Sequence, residues 1–538
     1  MGSIYGIDLG TTYCAASVFQ SQTTINVAVD ENRATLASEV FLEDDGDGLR
    51  AYVGSRAFDA MKDAVDGEGK FIVGSKREMG TLLDARGYRE PPWRFGSWAY
   101  DPRDVASLIL RKLALEVGRQ RPSDPVKRAV ITHPAFFPIP AKEATKQAAE
   151  LADIEVVDTI TEPGAAALAY GVQSKGAGKY VVFDLGGGTL DVTLLDIDGN
   201  GTIHLVHHDG ERALGGIDWD RELLGIVVEQ FCQSYTDVDF DRDADERTQS
   251  IWLRRARDLK IDLSNSDSVR AARFDLRCNG EVLRQKATVT RGQFEARCAG
   301  LLRRCEAVVE RAMQQAGWRW PNVSDVLLVG GSTRMPMVRD LLSRMASREI
   351  RPHLAPDHCV AAGAAFRGAM ISRGSGDGGG SPLEVTDGAT TAAPADLVLP
   401  AMRDTTARDL RVLVRQIGGA ETCDLVIPRG TATPHRQSVH YETAHDNQET
   451  ITVRLFEGED ESPDINTPVG TVLVTGIPKR PSGQPVQISF DVSHGGCLEV
   501  VVTDEGSGTS VRSRLDVANA SVTDLDARRA HLSAIHVE

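Results

Sequence analysis

The sequence predicts a two-lobed α/β domain followed by an all-β sandwich. Residues 1–371 alternate strand-like and helix-like segments and contain two similar glycine-rich loops, which indicate a duplicated α/β lobe. Residues 372–404 are rich in glycine, serine, alanine and threonine, a composition typical of a flexible linker. Residues 405–520 contain short apolar strands separated by turn residues, with almost no helical periodicity. We therefore expect two domains of different architecture.

Composition places the chain among ordinary globular proteins and argues against two classes of partner. The hydrophobic fraction is 41% and the formal net charge is −17, so neither nucleic acid nor an anionic membrane would be attracted. No apolar run approaches the roughly 18 residues of a membrane span, and no pair of cysteines has metal-site or CxxC spacing. We expect a cytoplasmic protein with reduced thiols.

The two glycine-rich loops follow the same plan. IYGIDLGTTYCAASVF (residues 4–19) is a strand, an Asp-Leu-Gly turn and a second strand, and VVFDLGGGTLDVTLLDIDGNG (residues 181–201) repeats that outline. Each loop is followed by a strand and a polar turn, as in a β-meander. Glycine lets such a turn approach a phosphate closely and point its N–H groups at it. Two facing loops would hold the phosphates of one nucleotide in the cleft between the lobes.

The residues of these loops supply the expected chemistry. The turns consist of Gly10, Thr11 and Thr12 in the first lobe and of Gly186, Gly187, Gly188 and Thr189 in the second. The preceding acids, Asp8 and Asp184, would hold Mg²⁺ through water, since Mg²⁺ prefers hard oxygen ligands. A third loop, VLLVGGSTRMP (residues 326–336), runs from a strand into a helix. It is typical of a phosphate or nucleoside site, although it is neither a P-loop nor a dinucleotide motif.

These motifs resemble the actin, hexokinase and DnaK superfamily of ATPases, and within it the DnaK-type seventy-kilodalton heat-shock chaperones. The matching segments follow the family's order: GIDLGTTYC, ITHPAFF, TEPGAAALAYG, VFDLGGGTLDVTLLD, LGGIDWD, LKIDLS, VLLVGGSTRMPMV and APDHCVAAGAA. The resemblance covers residues 4–370 strongly and 405–515 moderately. It implies an actin-like two-lobed ATPase domain followed by a peptide-binding β-sandwich, with ATP or ADP and Mg²⁺ as cofactors.

The resemblance also implies roles for single residues. Lys76, in SKREMG, would reach the γ-phosphate and help to place the attacking water, while Glu162 would orient magnesium-bound water. Thr11, Thr12 and Thr189 would contact the phosphates. The nucleoside pocket would be lined by Lys260, Ser264, Gly330, Gly331, Ser332, Arg334 and Asp357. Phosphoryl transfer needs positioning and charge neutralisation more than a strong base, and these groups provide both.

Further residues would bind peptide and relay the nucleotide state. By position, an extended apolar peptide would contact Val414, Ile417, Tyr441, Ala444, Ile451 and Val453, although alternating apolar residues in a strand usually form core. Pro134 and Lys142 match the proline and the basic residue that, in this family, relay the nucleotide state to the β-sandwich. The chain departs from the family at Lys142, where arginine is usual, at Arg257, where glutamate is usual, and at Ile217 and His358, where acids are common. Residues 521–538 resemble one helix capped by Thr523, with no lid.

We therefore expect an ATP-hydrolysing DnaK-type chaperone. Its partners would be unfolded or client polypeptide, a J-domain co-chaperone and a nucleotide exchange factor. The alternative is a nucleotide-gated adaptor for one dedicated client, with slow or no hydrolysis. A sugar or metabolite kinase of the same superfamily is a further alternative, although the β-sandwich argues against it. The lobe fold also allows a cytoskeletal filament, which sedimentation with ATP would reveal.

Overall fold

The computed structural model describes residues 2–372, 402–514 and 522–538, with gaps at 22, 31–32, 45, 47, 65–68, 81–82, 85–86, 89–90, 175, 267–268, 279, 352–354, 357 and 416–420. These residues form two similar α/β lobes and a β-sandwich, which confirms the predicted fold class. Most of the predicted linker lies outside the described residues, as do the predicted site residues Asp357 and Ile417.

The first lobe consists of strands from two sheets, two short hairpins and the helices that cover them. Its elements are β1 (Ile4–Leu9), β2 (Tyr13–Gln20), β3 (Thr23–Val27), β4 (Leu36–Ala37), β5 (Glu39–Asp44), β6 (Leu49–Val53), α1 (Ser55–Asp63), β7 (Lys70–Val73), β8 (Leu83–Asp84), β9 (Gly87–Tyr88), β10 (Trp93–Phe95), β11 (Trp98–Tyr100), α2 (Pro102–Gln120), β12 (Arg128–His133), α3 (Ile139–Leu151), β13 (Glu155–Thr161) and α4 (Glu162–Ser174).

The second lobe follows directly. Its elements are β14 (Gly178–Leu185), β15 (Leu190–Ile197), β16 (Ile203–Glu211), α5 (Gly216–Ser234), α6 (Phe240–Asp243), α7 (Glu246–Asn265), β17 (Arg270–Cys278), β18 (Glu281–Val289), α8 (Arg291–Arg297), α9 (Ala299–Gln315), β19 (Asp325–Val329), α10 (Pro336–Ala346) and α11 (Cys359–Ser372). Short 3-10 helices span Ser75–Glu78, Trp320–Asn322 and Gly331–Arg334.

The two lobes share one sheet topology. In the first lobe the order is β13-β12-β1-β2-β3, with β1 parallel to β12 and antiparallel to β2. In the second lobe the order is β19-β14-β15-β16, with β14 parallel to β19 and antiparallel to β15. The predicted duplication and both meanders are therefore present. Asp8 and Asp184 consequently lie at matching positions, next to the last residue of β1 and of β14.

Two helices rich in small residues, α4 and α11, pack against each other between the sheets of the two lobes. A side chain at Gly363 of α11 would lie only 2.8 Å from Ala165 Cα of α4, so glycine is needed for this close approach. The neighbouring alanines Ala165–Ala169 are all buried. Helix α11 packs on β1 and β2 of the first lobe and α4 packs on β14 of the second, so this tight helix pair connects the two sheets.

The remaining strands form the sandwich and its connections. They are β20 (Met402–Thr405), β21 (Leu410–Arg415), β22 (Glu421–Ile427), β23 (Ala432–Thr433), β24 (His435–Glu442), β25 (Thr450–Glu457), β26 (Thr467–Thr475), β27 (Pro485–Val492), β28 (Leu498–Asp504) and β29 (Thr509–Arg514), followed by α12 (Val522–Ser533) and β30 (His536–Val537). One sheet has the order β22-β21-β25-β26 and the other β24-β27-β28-β29. Buried residues of the sandwich and of the first lobe belong to one continuous hydrophobic cluster.

Two boundary predictions differ from the structure. Residues 402–404, predicted as linker, belong to β20, which adds to the second-lobe sheet in parallel with β16. The edge of β16 supplies the pairing groups, and Met402 and Asp404 on one face of β20 are buried. The predicted C-terminal helix ends at Ser533, and β30 then pairs with β6. The helix is described from Val522 onward, and the predicted capping role of the Thr523 side chain lies outside what the structure describes.

All eight cysteines are described and none forms a disulfide. Within the described ranges, no helix combines the length and the apolar character needed to cross a membrane.

Candidate functional site

A cleft of about 560 Å³ lies between the two lobes and is lined by all three glycine-rich loops. Its volume is typical of a pocket for a small molecule or cofactor. Of the residues predicted to bind nucleotide or to carry catalysis, those that line the cleft are Asp8, Gly10, Thr11, Thr12, Lys76, Glu162, Asp184, Gly186, Gly187, Thr189, Lys260, Ser264, Gly330, Gly331, Ser332 and Arg334. The structure thus brings together residues that are far apart in the sequence.

The first two loops face each other at van der Waals distance. A side chain at Gly187 would overlap the Thr12 hydroxyl and lie 2.7 Å from Thr12 Cβ. One at Gly188 would lie 2.6 Å from the Thr11 hydroxyl, and Gly188 itself packs behind the loop without lining the cleft. The buried Thr12 Oγ1 has no hydrogen-bond partner among the described residues. A hydroxyl buried without a partner fits a site that a phosphate oxygen completes.

The third loop is tied to the second. Ser332 Oγ donates to the Gly186 carbonyl oxygen at 2.9 Å. Gly330 has a left-handed φ of 78°, and a side chain there would lie 2.4 Å from the Leu185 carbonyl oxygen. The exposed Arg334 stands at the end of the 3-10 helix that follows. The second and third loops therefore form one connected wall of the cleft, on the side of the second lobe.

Lys76 lies at the base of the cleft and is buried, with 5% of its surface exposed. Its amine forms a buried ion pair with Glu162, the first residue of α4. Burial alone would lower the pKa of Lys76, but the carboxylates of Glu162 and Asp8 raise it. The side chain is therefore a firmly charged ammonium group in the cleft that the glycine-rich loops line.

Four carboxylates gather around this lysine. Asp8 accepts a hydrogen bond from Thr132 Oγ1 at 3.1 Å. Burial, reinforced by Glu162, Asp191 and Asp8, raises the pKa of Asp184 well above its usual range. Asp191, which sequence reasoning missed, is also buried, and burial together with Glu162 raises its pKa as well. Its spacing from Thr189 could have identified it, because residues two apart in an extended chain point to the same side.

Accumulated negative charge of this kind fits a divalent cation. Among the described residues no three His, Cys, Asp or Glu side chains are arranged to hold a metal ion directly. Binding of hydrated Mg²⁺ by Asp8, Asp184 and Glu162 therefore stays a prediction, and it rests on the preference of Mg²⁺ for hard oxygen ligands and for keeping several of its waters. When bound, Mg²⁺ would neutralise phosphate charge.

The end of the cleft predicted to bind the nucleoside contains an ion-pair network that the sequence did not reveal. Lys260 on α7 pairs with Asp220 at 2.7 Å and donates to the Gly216 carbonyl oxygen at 3.0 Å. Ser264, one turn later, donates to the Lys260 carbonyl oxygen. Gly216 and Asp220 also line the cleft, together with Tyr13, Ile261 and His358. Lys260 is therefore held in place at the wall of the cleft by Asp220 and by the Gly216 carbonyl oxygen.

Arg257 joins the two lobes at this end. Its guanidinium lies 2.8 Å from Glu39 of β5 in the first lobe and 3.4 Å from Asp220 of α5 in the second. Arg254 also pairs with Glu39, at 2.8 Å. Burial alone would lower the pKa of Arg257, but Glu39 and Asp220 raise it. We call Glu39, Arg254, Arg257 and Asp220 the interlobe clasp, since it connects the lobes beside the cleft.

Neutralising the centre of the clasp should open the cleft. In Glu39→Gln, Arg254 and Arg257 lose the buried carboxylate that they share, and Arg257 keeps only the longer contact with Asp220. Breaking a buried pair from one side is strongly destabilising. We expect a bound fluorescent ADP to dissociate about 10-fold faster, measured by stopped-flow displacement.

The matched control is Glu246→Gln, which removes the partner of Lys70 in an exposed pair that also crosses between the lobes. Exposed pairs contribute little, so its release rate should stay close to that of the unmodified protein. Equal rates for Glu39→Gln and the unmodified protein would show that the clasp does not hold the cleft closed.

The residues predicted to relay the nucleotide state, Pro134 and Lys142, lie where the first lobe meets the sandwich. Pro134 is buried between β12 and α3, and Lys142 of α3 is buried with its ammonium group against Gly496. Burial raises the pKa of Asp404 to about 6, and Lys142 opposes this shift. Glu457 of β25 accepts a hydrogen bond from the Ile139 backbone at the start of α3, at 2.7 Å. Lys142 therefore stands among acids of β20 and of the sandwich.

The predicted peptide-cleft residues divide into two groups. Ile451 and Val453 are 8% and 3% exposed and belong to the core, so in this arrangement they are not available to a peptide. Val414 and Tyr441 are half-buried at the edge of that core, and Ala444 is exposed. Burial and Asp424 raise the pKa of Tyr441 to about 12. Val414, Tyr441 and Ala444 remain the candidates for peptide contact.

Comparison with known proteins agrees with this geometry. Residues 4–530 match the family described as Hsp70 protein. This chain belongs to the Hsp70 family.

Two curated Hsp70 relatives show the extent of the similarity. They are "Chaperone protein DnaK 1" from a Synechococcus species and "Chaperone protein dnaK3" from Synechococcus elongatus, each 34% identical over 521 residues. The alignments cover 94% of this chain and 65% of each relative. The chain thus spans a little less than two thirds of the length of these Hsp70 relatives.

Proposed function

We propose that this protein is an ATP-dependent molecular chaperone of the DnaK type, which couples binding and hydrolysis of Mg·ATP to binding and release of polypeptide. The observation that carries the proposal is the cleft itself, in which three glycine-rich loops, the buried Lys76 and the carboxylates of Asp8, Glu162 and Asp184 line one cavity. The names of the curated relatives support the same function.

Each part of the cleft has a task in this proposal. Backbone N–H groups of the loops and the hydroxyls of Thr11, Thr12 and Thr189 would bind the phosphates. Lys76 would neutralise charge that develops on the γ-phosphate, because a preorganised cation is most effective in a buried site. Glu162 holds the Lys76 amine in place and would orient a water molecule. Lys260, Ser264 and Arg334 would contact the nucleoside.

Communication with the sandwich would run along β12. Thr132 of this strand contacts Asp8, and the next residue, His133, lies 3.0 Å from the Gly495 carbonyl oxygen of the sandwich. Burial and Lys142 lower the pKa of His133 to about 3, so the ring is neutral. A change at Asp8 on nucleotide binding would thus reach the sandwich through two neighbouring residues of one strand. ATP can shift the arrangement only if it binds two arrangements with different affinity.

Loss of Lys142 should uncouple the two domains. In Lys142→Ala, Asp404 and Glu457 remain buried without the nearby cation. The arrangement in which the sandwich packs on the first lobe therefore becomes less stable. In the unmodified protein we expect ATP to speed release of a fluorescent apolar peptide by between about 5-fold and 150-fold. In the variant this ratio should approach one, as measured by peptide dissociation in ATP and in ADP.

The exposed Lys127 provides the control, because Lys127→Ala removes a lysine of the same lobe without touching buried acids. A Lys142→Ala protein that keeps the full effect of ATP on peptide release would contradict the proposed route.

The second candidate is a nucleotide-gated adaptor that hydrolyses slowly or not at all and serves one dedicated client. The interlobe clasp favours this candidate, since a buried connection across the cleft would retain nucleotide. Binding to a panel of unrelated unfolded proteins separates the two functions. Broad binding supports the chaperone, and binding to none of the panel supports the adaptor.

The partners proposed for the chaperone are unfolded or client polypeptide, a J-domain co-chaperone and an exchange factor. Neither nucleic acid nor an anionic membrane is proposed as a partner, because the net charge of −17 would repel both. The proposed site of action is the cytoplasm.

A further inference from the structure

Residues 522–538, here called the tail segment, extend beyond the sandwich and return to the first lobe. Helix α12 packs against α2 and α3. Strand β30 then pairs in parallel with β6, with His536 opposite Arg50 and Val537 opposite Ala51. The Val53 amide donates to the Glu538 main-chain oxygen at 3.0 Å, and the Glu538 amide donates to the Ala51 carbonyl oxygen at 2.9 Å. The tail segment therefore completes a first-lobe sheet.

A buried ion-pair cluster fixes α12. The Arg528 side chain is 7% exposed and lies between Asp101, at 3.2 Å, and Asp104, with which it forms a still closer pair; both carboxylates have no exposed surface. Asp101 and Asp104 also form the capping box at the start of α2. Withdrawing Arg528 would therefore leave a carboxylate pair in the first lobe with less positive charge beside it, which is costly in a buried place.

Aromatic and apolar contacts surround this cluster. The His531 ring stacks on Trp98 with centroids 4.0 Å apart, and its Nε2 lies 3.0 Å from the Tyr100 hydroxyl. Leu532 and Ile535 are 0% and 2% exposed and belong to the hydrophobic cluster of the first lobe. A segment that contributes core residues, a buried charge and a strand has the contacts of a structural part of the lobe, and not those of a mobile cover.

We propose that the tail segment is a permanent strap, bound to the first lobe in the ATP-bound, ADP-bound and nucleotide-free protein. The sandwich is then attached to the ATPase unit at both ends. Only residues 515–521 separate β29 from α12. Fully extended, the eight residue steps from 514 to 522 span at most about 28 Å. The sandwich can loosen its contacts at Lys142, but it cannot move away freely.

The strap also reaches the catalytic region. Its anchor helix α2 contacts the 3-10 helix Ser75–Glu78, which contains Lys76. Movement of the sandwich is thereby linked to the first lobe at two places, through Lys142 on one side and through α2 on the other. This inference goes beyond the proposed function, and it concerns how far the sandwich moves and not whether ATP is hydrolysed.

Hydrogen exchange of the full chain tests the strap. Exchange of amides in 525–538 and 50–53 would be followed without nucleotide, with Mg·ADP and with Mg²⁺ and a non-hydrolysable ATP analogue. We expect the same slow exchange in all three samples. In Arg528→Ala the tail amides should exchange about 100-fold faster. The matched control is Arg529→Ala, whose exposed side chain donates to the Glu150 carbonyl oxygen, and its exchange should change by less than about 3-fold.

Two results would overturn the strap. Tail exchange that is 10-fold or more faster in ADP than in the ATP analogue would make the tail a nucleotide-controlled cover. Unchanged exchange in Arg528→Ala would show that the buried ion pairs do not hold it. If Arg528→Ala fails to fold, His531→Ala serves as the second variant and should raise tail exchange in the same direction. The nucleotide-free sample and the variants test the strap even if the protein hydrolyses no ATP.

Discussion

Replacing Lys76 with alanine is expected to slow ATP hydrolysis by between about 100-fold and 1000-fold, the usual loss when one preorganised stabilising group is removed from a buried site. The ammonium is buried, paired with Glu162 and surrounded by the acids that face the phosphate loops. A nearby water cannot replace it, because a fixed charge in a buried site needs no reorganisation as the reaction proceeds. Single-turnover hydrolysis of labelled ATP measures the loss.

The same variant should still bind ADP within about 10-fold of the unmodified affinity, because the loops and the nucleoside pocket remain intact. Lys62→Ala is the control, since Lys62 is an exposed lysine of the first lobe that pairs with Asp59. If Lys76→Ala hydrolyses ATP as fast as the unmodified protein, Lys76 has no catalytic role. Lys76→Arg tests shape, because a guanidinium keeps the charge without the compact ammonium geometry.

Replacing Gly187 with valine is expected to weaken nucleotide binding by about 100-fold or more. A side chain at Gly187 would collide with the Thr12 hydroxyl and lie 2.7 Å from Thr12 Cβ. The loops can relieve this overlap only by separating, and binding of phosphates between them depends on their close approach. Titration calorimetry with Mg·ADP measures the affinity.

Gly199→Val is the matched control. Gly199 lies in the turn between β15 and β16, and nothing lies within 4 Å of a side chain placed there. Its affinity for ADP should be unchanged, and melting curves of both variants would separate lost binding from lost folding. Unchanged affinity in Gly187→Val would mean that the facing loops are not the phosphate site.

The parts of the molecule that were predictable are those specified by local sequence. Asp8 and Asp184 each follow an apolar strand and precede a glycine turn, so the strand, the loop and the next strand are all marked within about 20 residues. The same reasoning gave the β-sandwich, because its strands alternate and end at turn residues. Local rules also identified the loop residues that the structure then gathers around one cleft.

The parts that were not predictable depend on contacts between distant residues. Arg257 and Glu39 lie 218 positions apart, and no local pattern shows that they meet. Met402–Thr405 is a short segment with two charged residues, and it becomes a strand only because β16 offers an open edge. Likewise His536–Val537 is too short to produce a strand pattern, and its pairing with β6 is set by the packing of α12.

The central claim, that ATP turnover is coupled to polypeptide binding, is tested most directly by single-turnover ATP hydrolysis of the full chain with and without an unfolded polypeptide. Slow hydrolysis that becomes several-fold faster with the polypeptide is the predicted result, since binding at the sandwich then favours the catalytic arrangement of the lobes. A hydrolysis rate that the polypeptide does not change, or tight ATP binding without any hydrolysis, would contradict the proposed chaperone function. Either result would favour the nucleotide-gated adaptor.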